Sequence, residues 1–333
     1  MRLHHVHFYV DDASLWRDRF RCLFQSLLGS VPTLSQALTP WTHQFQGGGL
    51  RFHLSEPQTL TDPVAQFLNQ RSPGIGALGL TDVDPAAIAA RLGQSGGQLE
   101  ANVLRSPLGI CHLLLPPEPA LPASPLSPQV DHLVLNVPQG QLEPAVQWYE
   151  AIFGLQRQQS FAIETCQSGL RSQVLRHPVT GLTLPINEPT SPRSQIQEFL
   201  DHHGGAGFQH LAIRVPRLIG TVQALRQVGL DFLSVPQRYY ADQPDPVFEG
   251  DLSPAEWQQV RSQQILLDRP STGGLLLQIF SQPIFAEPTF FWEFIERRTQ
   301  AQGFGEGNFL ALFRAIEQAQ TERGSLAVQA KPA

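Results

Sequence analysis

The chain has 333 residues, of which 41% are apolar and 16% are charged, so it can bury a sizeable core and lacks the composition of a disordered protein. Its net charge of −6, without a long basic run, argues against nucleic acid as a partner. No apolar run is long enough to span a membrane, and Cys22, Cys111 and Cys166 are too few and too scattered for a disulfide framework, so a cytoplasmic protein is predicted.

The first part of the chain, residues 1–115, opens with a predicted strand in "LHHVHFYV". A helical pattern then runs through Phe20 and Leu27, and short strands follow. The segment "PGIGALGLTDV" at 73–83 predicts another strand, and "DPAAIAARLGQ" predicts the helix after it. The stretch 116–128, "PPEPALPASPLSP", is dense in proline and predicts a linker.

The second part, predicted as a domain over 129–323, repeats this plan. It opens with a strand in "VDHLVLNV" and a helix through Trp148 and Phe153. A Gly-x-Gly run again leads into a strand, in "GGAGFQHLAIRV", and a helix follows in "RLIGTVQALRQVG". This internal duplication predicts an α+β fold built from tandem βαβββ modules. Residues 324–333 are predicted to form a frayed tail.

Comparison of the two copies draws attention to two histidines. Alignment of the opening strands makes His5 the equivalent of His132. Alignment of the Gly-x-Gly runs makes Gly79 the equivalent of His210. A single histidine in a strand is more often structural than functional. Two histidines on paired strands, however, can converge across the concave face of a curved sheet. We therefore single out His132 and His210 and interpret the other histidines, including His7, as structural.

A third ligand is predicted in "PTFFWEFIERR". Glu293 lies in the middle of an aromatic run, which favours burial of its carboxylate. A buried carboxylate without a partner is destabilising by several kcal/mol, at about the scale of a broken buried ion pair, and a metal ion would compensate for it. His132, His210 and Glu293 together match the two-histidine, one-carboxylate set of non-heme Fe(II) oxygenases, although these ligands do not exclude Zn(II) or Mn(II).

The last predicted element is a helix at about 308–321, preceded by the glycine-rich segment "QGFGEG". Asn308 is predicted as its N-cap. Apolar residues fall on one face of this helix, at Phe309, Leu312, Phe313 and Ile316. We interpret the preceding glycines as a hinge because they cost backbone entropy that a merely packed helix would not require. These glycines are Gly303, Gly305 and Gly307.

The second half resembles the 4-hydroxyphenylpyruvate dioxygenase family of the vicinal-oxygen-chelate superfamily. The similar segments occur in the family's order through nearly all of 130–318. They are "VDHLVLNV", "GLRSQVL", "LPINEP", "SQIQEFLDHHGGAGFQHLAI", "VPQRYY", "GGLLLQIFSQP", "FFWEFIERR" and "GFGEGNFLALFRAIE". The first half is much less similar. One departure is Glu296, at a position where members of the family usually have glutamine.

The resemblance implies a fold of two open-barrel domains, the first structural and metal-free and the second catalytic. It implies oxidative conversion of 4-hydroxyphenylpyruvate and O2 to homogentisate and CO2. One Fe(II) per chain is implied as the cofactor, with O2 as co-substrate. No 2-oxoglutarate is expected, because the substrate carries its own 2-oxo acid. The glycine-preceded helix would be a lid whose Phe309 faces the substrate ring.

Polar and aromatic residues on the family's pocket motifs are implied to bind the substrate. The uncharged ones are Ser172, Asn187, Gln195, Gln209 and Gln278. Taken singly, each is equally typical of a cap or a strand edge. Gln278 is the strongest candidate, because an amide inside the apolar strand "LLLQIF" needs a partner. Phe280 lies two residues further on the same strand face and would contact the substrate ring.

Three alternatives remain at this point. The chain could be a non-catalytic protein that binds a small ligand or a metal, since paired βαβββ modules also serve that purpose. It could be similar to 4-hydroxymandelate synthase, which uses the same substrate and metal but hydroxylates the benzylic carbon. Extradiol cleavage of a catechol uses the same three ligands, but no second acid–base histidine stands out in the matched motifs. The sequence leaves open whether copies of the chain form a homo-oligomer.

Overall fold

A computed structural model describes residues 1–29, 34–121, 124, 126–165, 168–241, 243, 250–271, 273–299, 301–303 and 305–324. Cys166 and residues 325–333 of the predicted tail lie outside these ranges. Within the described ranges, no helix combines the length and apolar character needed to cross a membrane.

The first half forms a mixed sheet of eight strands among the described residues, in the order β2-β3-β4-β1-β5-β8-β7-β6. Strands β1 to β8 are Arg2–Tyr9, Leu34–Thr39, Thr42–Gly47, Leu50–Ser55, Gly74–Thr81, Gln98–Glu100, Val103–Arg105 and Cys111–Leu114. Helices α1 to α3 are Ala13–Leu28, Pro63–Leu68 and Pro85–Ser95.

The second half, over its described residues, forms a second eight-stranded sheet in the corresponding order, β10-β11-β12-β9-β13-β16-β15-β14. Strands β9 to β16 are Gln129–Asn136, Gln156–Glu164, Gly169–Arg176, Thr183–Pro189, Gly207–Arg214, Leu266–Asp268, Leu275–Phe280 and Phe291–Arg298. Helices α4 to α9 are Leu142–Phe153, Gln195–His203, Leu218–Gln227, Gln237–Ala241, Pro254–Ser262 and Phe309–Arg323. The shared strand order confirms the tandem fold. The chain changes sheet within 115–128, the predicted linker, but the domain boundaries themselves remain predictions.

Local sequence signals account for where the helices begin and end. Asp12 and Asp84 precede α1 and α3, and their carboxylates accept hydrogen bonds from backbone N–H groups of the first turn. Helix α5 is capped in the same way by the hydroxyl of Ser194. Gly154 and Gly204 end α4 and α5 in the left-handed conformation, which glycine adopts without strain.

Strand register corrects the predicted alignment of the two copies. His7 pairs with Ala77 between β1 and β5, whereas Val134 pairs with His210 between β9 and β13. Since the register shifts at the same point in both pairs, the counterpart of His210 is Ala77. The predicted alignment, which made Gly79 the counterpart, is therefore wrong by two residues.

The error arises because the two Gly-x-Gly runs lie at different places relative to their strands. Gly74 opens β5, whereas Gly204 and Gly205 belong to the turn after α5 and only Gly207 opens β13. An alignment on these runs therefore displaces β5 against β13 by two residues. The conclusion drawn from that alignment, that the first copy has no second histidine at this position, holds for Ala77.

An aromatic cluster joins the two sheets into one core. Phe52 of β4 stacks on Trp292 of β16, with ring centroids 5.7 Å apart. Phe8 of β1 meets both Phe290 and Trp292 at 5.2 and 5.6 Å. All four rings are buried. Helix α1 also packs against α6, and α3 against α4. The second half therefore depends on the first for burial of its aromatic residues.

We expect Phe52→Ala to lower the free energy of unfolding by about 3 to 5 kcal/mol, because it opens a cavity where the two sheets meet. Urea unfolding followed by far-UV circular dichroism would measure this. Leu60→Ala is the control, since Leu60 is 91% exposed and should be neutral. A loss below about 1 kcal/mol for the Phe52 variant would contradict the shared core.

Candidate metal centre and cavity

Three adjacent strands bring His132, His210 and Glu293 together. Ala212 of β13 pairs with His132 of β9 on one side and with Glu293 of β16 on the other. His210 lies two residues before Ala212 and therefore on the same face of the sheet. The small side chain of Ala212 leaves the space between the three larger ones open.

The three side chains converge on one point. The Glu293 Oε2 atom lies 3.1 Å from His132 Nε2 and 3.5 Å from His210 Nε2. One ligand atom from each residue lies within 4.8 Å of the other two, and all three residues are buried. Two imidazole nitrogens and a carboxylate oxygen at this spacing fit a divalent transition metal.

Asp131 and Arg297 fix the orientation of His132 through the ring nitrogen that faces away from Glu293. Asp131 Oδ1 lies 3.0 Å from His132 Nδ1 and accepts a 2.7 Å hydrogen bond from Arg297 Nη2. Arg297 Nε donates to the second oxygen of Asp131 at 2.8 Å. With Nδ1 engaged by a carboxylate, Nε2 of His132 is the nitrogen presented to the site. Carboxylate–histidine pairs of this kind orient and strengthen metal ligands.

The ionisation of the two histidines and the glutamate is coupled. Burial disfavours the charged form of His132, yet the carboxylates of Glu293 and Asp131 outweigh it and raise the pKa of this imidazole to about 9. Burial lowers the pKa of His210. Burial also disfavours ionised Glu293, but both histidines outweigh it and hold the pKa of the carboxyl at about 2. A bound dication would take the place of the proton on His132.

A β-bulge brings one further side chain to this face. The register between β9 and β13 shifts between Phe208 and His210, so Gln209 is the extra residue. Without the bulge, neighbouring residues would point to opposite faces of the sheet. With it, Gln209 and His210 both line the same cavity.

This cavity, of about 90 Å³, lies between the second sheet and helices α5 and α9. Six of the seven predicted substrate-binding residues line it: Ser172, Asn187, Gln195, Gln209, Phe280 and Phe309. The apolar stripe of α9 also faces it, through Leu312, Phe313 and Ile316. The Oε1 atom of Gln195 and the Nδ2 atom of nearby Asn136 are buried and have no hydrogen-bond partner among the described residues.

Gln278 occupies a different place from the predicted one. It is not among the residues that line the cavity. Its Nε2 donates to Glu293 Oε1 at 2.9 Å, and its Oε1 accepts from Asn308 Nδ2 at 2.8 Å. Tyr239 donates to Asn308 Oδ1 at 2.6 Å. The amide predicted to need a partner has one, but that partner is the candidate metal ligand itself.

Asn308 likewise differs from its predicted role. A 3₁₀ turn at Glu306–Asn308 precedes α9, and Asn308 occupies the N-cap position without making a side-chain cap hydrogen bond. Its amide is instead committed to Gln278 and Tyr239. The residue thus ties the start of α9 to the strand that carries Gln278.

The glycines before α9 have a packing role that the sequence did not indicate. Gly305 has a φ of 74°, and a Cβ atom there would lie 1.8 Å from Gln278 Oε1. A Cβ atom at Gly307 would lie 2.3 Å from Asp268 Oδ1. Gly303 also has a positive φ, of 84°. Close approach and left-handed backbone therefore require these glycines, and their action as a hinge stays a prediction.

Glu296, the residue that departs from the family pattern, lies away from the ligands. Its carboxylate accepts hydrogen bonds from the Leu218 backbone N–H at the start of α6 and from Arg298 Nε, each at 2.6 Å. It therefore stabilises a helix N-terminus instead of adding charge to the site.

Sequence reasoning missed Asp131 and Arg297. A signal for Asp131 existed, since it directly precedes His132 in a predicted strand. No local signal identified Arg297, because its relation to Asp131 joins residues 166 positions apart.

Comparison with known proteins identifies relatives of the chain. The family model of the glyoxalase/bleomycin resistance protein/dioxygenase superfamily matches residues 129–246. An uncharacterized protein from Synechocystis sp. is 33% identical over 338 residues, which cover 95% of this chain and 97% of that protein. The relation thus extends through the first half as well as the second.

Relatives with a stated activity match the second half. The 4-hydroxyphenylpyruvate dioxygenase of Caenorhabditis briggsae is 42% identical over 205 residues, 59% of this chain and 52% of its own length. The chain spans about half the length of the dioxygenases of this name that it matches. A solved mutant of 4-hydroxymandelate synthase from Streptomyces coelicolor superposes with a TM-score of 0.79 at 26% identity, covering 96% of this chain and 98% of that one.

We expect Asp131→Asn to weaken Fe(II) binding by about 10- to 100-fold, because His132 loses the carboxylate that orients it. Anaerobic titration of the metal-free protein with Fe(II) would measure the affinity. Asp201→Asn, an exposed change on α5, is the control and should bind as the wild type does. Unchanged affinity in a folded Asp131 variant would show that the ligands need no such support.

Proposed function

We propose that this chain, which belongs to the glyoxalase/bleomycin resistance protein/dioxygenase superfamily, is an Fe(II)-dependent dioxygenase that converts 4-hydroxyphenylpyruvate and O2 to homogentisate and CO2. The observation that carries the proposal is the convergence of His132, His210 and Glu293 at one end of a cavity with apolar walls and amide groups. The similarity of the second half to 4-hydroxyphenylpyruvate dioxygenases supports the choice of substrate.

His132, His210 and Glu293 would hold the iron, which when bound supplies the activation of O2 for decarboxylation and ring hydroxylation. Three protein ligands leave positions open for a 2-oxo acid and for O2. The formal charge also fits, because Fe(II) with one glutamate is +1 and the substrate carboxylate balances it. An acidic protein can therefore bind an acidic substrate here without an arginine that contacts it.

The polar residues of the cavity would orient the substrate. Gln195 and Asn187 lie on the cavity wall, and the buried Oε1 of Gln195 lacks a partner within the described chain. An unpaired buried acceptor costs about 1 to 3 kcal/mol, which a phenol O–H donating to it would offset. Uncharged amides can bind the phenol and the keto acid without competing with the histidines for the metal.

Helix α9 would act as a lid over the bound substrate. An engineered cavity of about 150 Å³ holds one benzene molecule, so a cavity of about 90 Å³ is too small for a phenol with a keto-acid side chain. The helix side chains that line the cavity would move to admit the substrate. Phe309, the first residue of α9, is one of these side chains, and its ring lies edge-on to that of Phe161 with centroids 4.9 Å apart. Closure over the substrate would then keep water away from the reacting atoms.

The alternative with support of its own is hydroxylation of the benzylic carbon to give 4-hydroxymandelate. The superposition with 4-hydroxymandelate synthase over nearly the whole chain favours it. Both reactions would use the same metal ligands and release CO2. The presence of Pro185 and Asn187 in "LPINEP", as in the dioxygenase motif, is our reason for ranking homogentisate first.

Anaerobic reconstitution with Fe(II), followed by 4-hydroxyphenylpyruvate and O2, should give homogentisate, with one O2 consumed per CO2 released. Homogentisate and 4-hydroxymandelate are isomers, so proton NMR or chromatography against both standards has to identify the product. Glu293→Gln, which removes the carboxylate ligand while keeping its size, should lose tight Fe(II) binding or turnover. Hydroxymandelate as the product would favour the alternative, and absence of O2 uptake in the iron-loaded protein would favour a binding protein.

Phe309→Ala should uncouple the reaction, because the helix remains but no longer holds the substrate ring. We expect O2 consumption to exceed homogentisate formation, with 4-hydroxyphenylacetate as the released by-product. Parallel oxygen-electrode and chromatographic measurements would give the ratio. The control is Trp41→Ala, a change to an exposed aromatic residue of the first half, which should leave coupling unchanged. Normal rate, affinity and coupling in a folded Phe309 variant would mean that α9 only packs against the sheet.

A further inference from the structure

The first half contains a second group of potential metal ligands, formed by His5, His7 and His53. His7 of β1 pairs in parallel with His53 of β4, and His5 lies two residues earlier on the same face of β1. One ring nitrogen from each histidine lies within 4.8 Å of the other two. The rings of His5 and His53 are stacked, with centroids 3.9 Å apart and an interplanar angle of 22°, so one ring would turn for both to bind the same ion. This group is separate from His132, His210 and Glu293, which lie in the other sheet.

Each of the three imidazoles keeps one ring nitrogen without a partner. His5 Nε2, His7 Nδ1 and His53 Nε2 are buried and accept or donate no hydrogen bond within the described residues. The opposite nitrogens of two rings are engaged, since His5 Nδ1 lies 2.8 Å from His4 Nδ1 and His7 Nε2 lies 2.8 Å from Ser55 Oγ. Three unpaired buried nitrogens in one cluster are destabilising, because burial without a hydrogen-bond partner costs each nitrogen about 1 to 3 kcal/mol of desolvation free energy.

The fold makes room for this cluster at one position in particular. Gly79 pairs with His5 across β1 and β5, and a Cβ atom at Gly79 would lie 2.2 Å from the His5 ring. Gly79 pairs with His5 as Ala212 pairs with His132, so Gly79 is the counterpart of Ala212 in the second sheet. A residue as small as alanine is thus accommodated between the ligands of the second sheet but not beside His5.

The charge state of the cluster suits a cation. Burial lowers the pKa of His7 to about 3 and that of His53 to about 4, and burial with the neighbouring histidines also lowers the pKa of His5. All three rings are then neutral at physiological pH, which is the form that binds metals. The nearby cation Arg51 donates a hydrogen bond to Glu118 at 3.0 Å, which offsets part of its charge.

We propose that His5, His7 and His53 bind a second divalent metal ion, Zn²⁺, with water as the fourth ligand. Three imidazoles without a carboxylate form a known tetrahedral zinc set, with nitrogen–zinc distances of about 2.0 to 2.1 Å. Calcium and magnesium are disfavoured because they prefer oxygen ligands. The ion would link β1 to β4, so it would stabilise the first half of the chain without taking part in the chemistry of the second.

The test is metal stoichiometry in protein that was stripped of metal, dialysed against Zn²⁺ and analysed by mass spectrometry of the metal content. We expect wild-type protein to bind one zinc ion more than His53→Gln. His43→Gln is the matched control, because His43 is a buried histidine on the neighbouring strand β3 that is not part of the cluster. It should bind as the wild type does.

A double variant, His132→Gln with Glu293→Gln, separates the two sites, since it leaves the second half only His210 of the three candidate ligands. We expect this protein to retain one zinc ion, to give the visible absorption of tetrahedral Co(II) when cobalt is substituted, and to melt at a higher temperature with zinc than without it. If His53→Gln does not fold, this protein still decides the question. A double variant that binds no zinc, or a folded His53→Gln that binds as much as the wild type, would overturn the proposal.

Discussion

The burial of one carboxylate among aromatic rings is the constraint on which the second half depends. Glu293 lies on a strand whose neighbours Phe291, Trp292 and Phe294 are all buried. An ionised group in such surroundings is stable only with close compensating charge or hydrogen bonds. His132 and His210 supply that compensation from the two adjacent strands, so the need to satisfy one residue brings three potential metal ligands to one point.

Polar partners spread outward from Glu293 in two directions. On one side, His132 leads to Asp131 and from there to Arg297, whose guanidinium also donates to backbone carbonyls at Ala301 and Gly303. On the other side, Gln278 connects the carboxylate to the start of α9. Both routes end at the segment that precedes the helix. The geometry of the candidate metal site and the position of the candidate lid are therefore physically linked, and a change in one has a path to the other.

The two halves show how a duplicated fold can diverge. The two halves share the strand order and a bulge at the same point. Of the three candidate iron ligands, however, only His132 has an identical residue, His5, at the equivalent position of the first half. The counterpart of His210 is Ala77. The counterpart of Glu293 is Leu113, because Leu113 pairs with Gly79 as Glu293 pairs with Ala212. In the first half, the imidazoles on this face come instead from His7 and His53. One backbone thus presents two different sets of candidate ligands, because strand alternation offers several residues to the same face.

The sequence by itself indicated the repeated strand–helix–strands plan, the C-terminal helix and the candidate triad, because periodicity, glycine runs and an acidic residue in an aromatic strand are local signals. It did not determine the register that makes Ala77 the counterpart of His210, nor the side on which Gln278 finds its partner. A shift of one residue moves a side chain to the opposite face of a sheet, and bulges such as that at Gln209 leave no clear mark in the sequence. The cluster of His5, His7 and His53 was also decided only by tertiary structure, since it forms when β4 pairs in parallel with β1 and so brings together His7 and His53, which are 46 positions apart in the sequence.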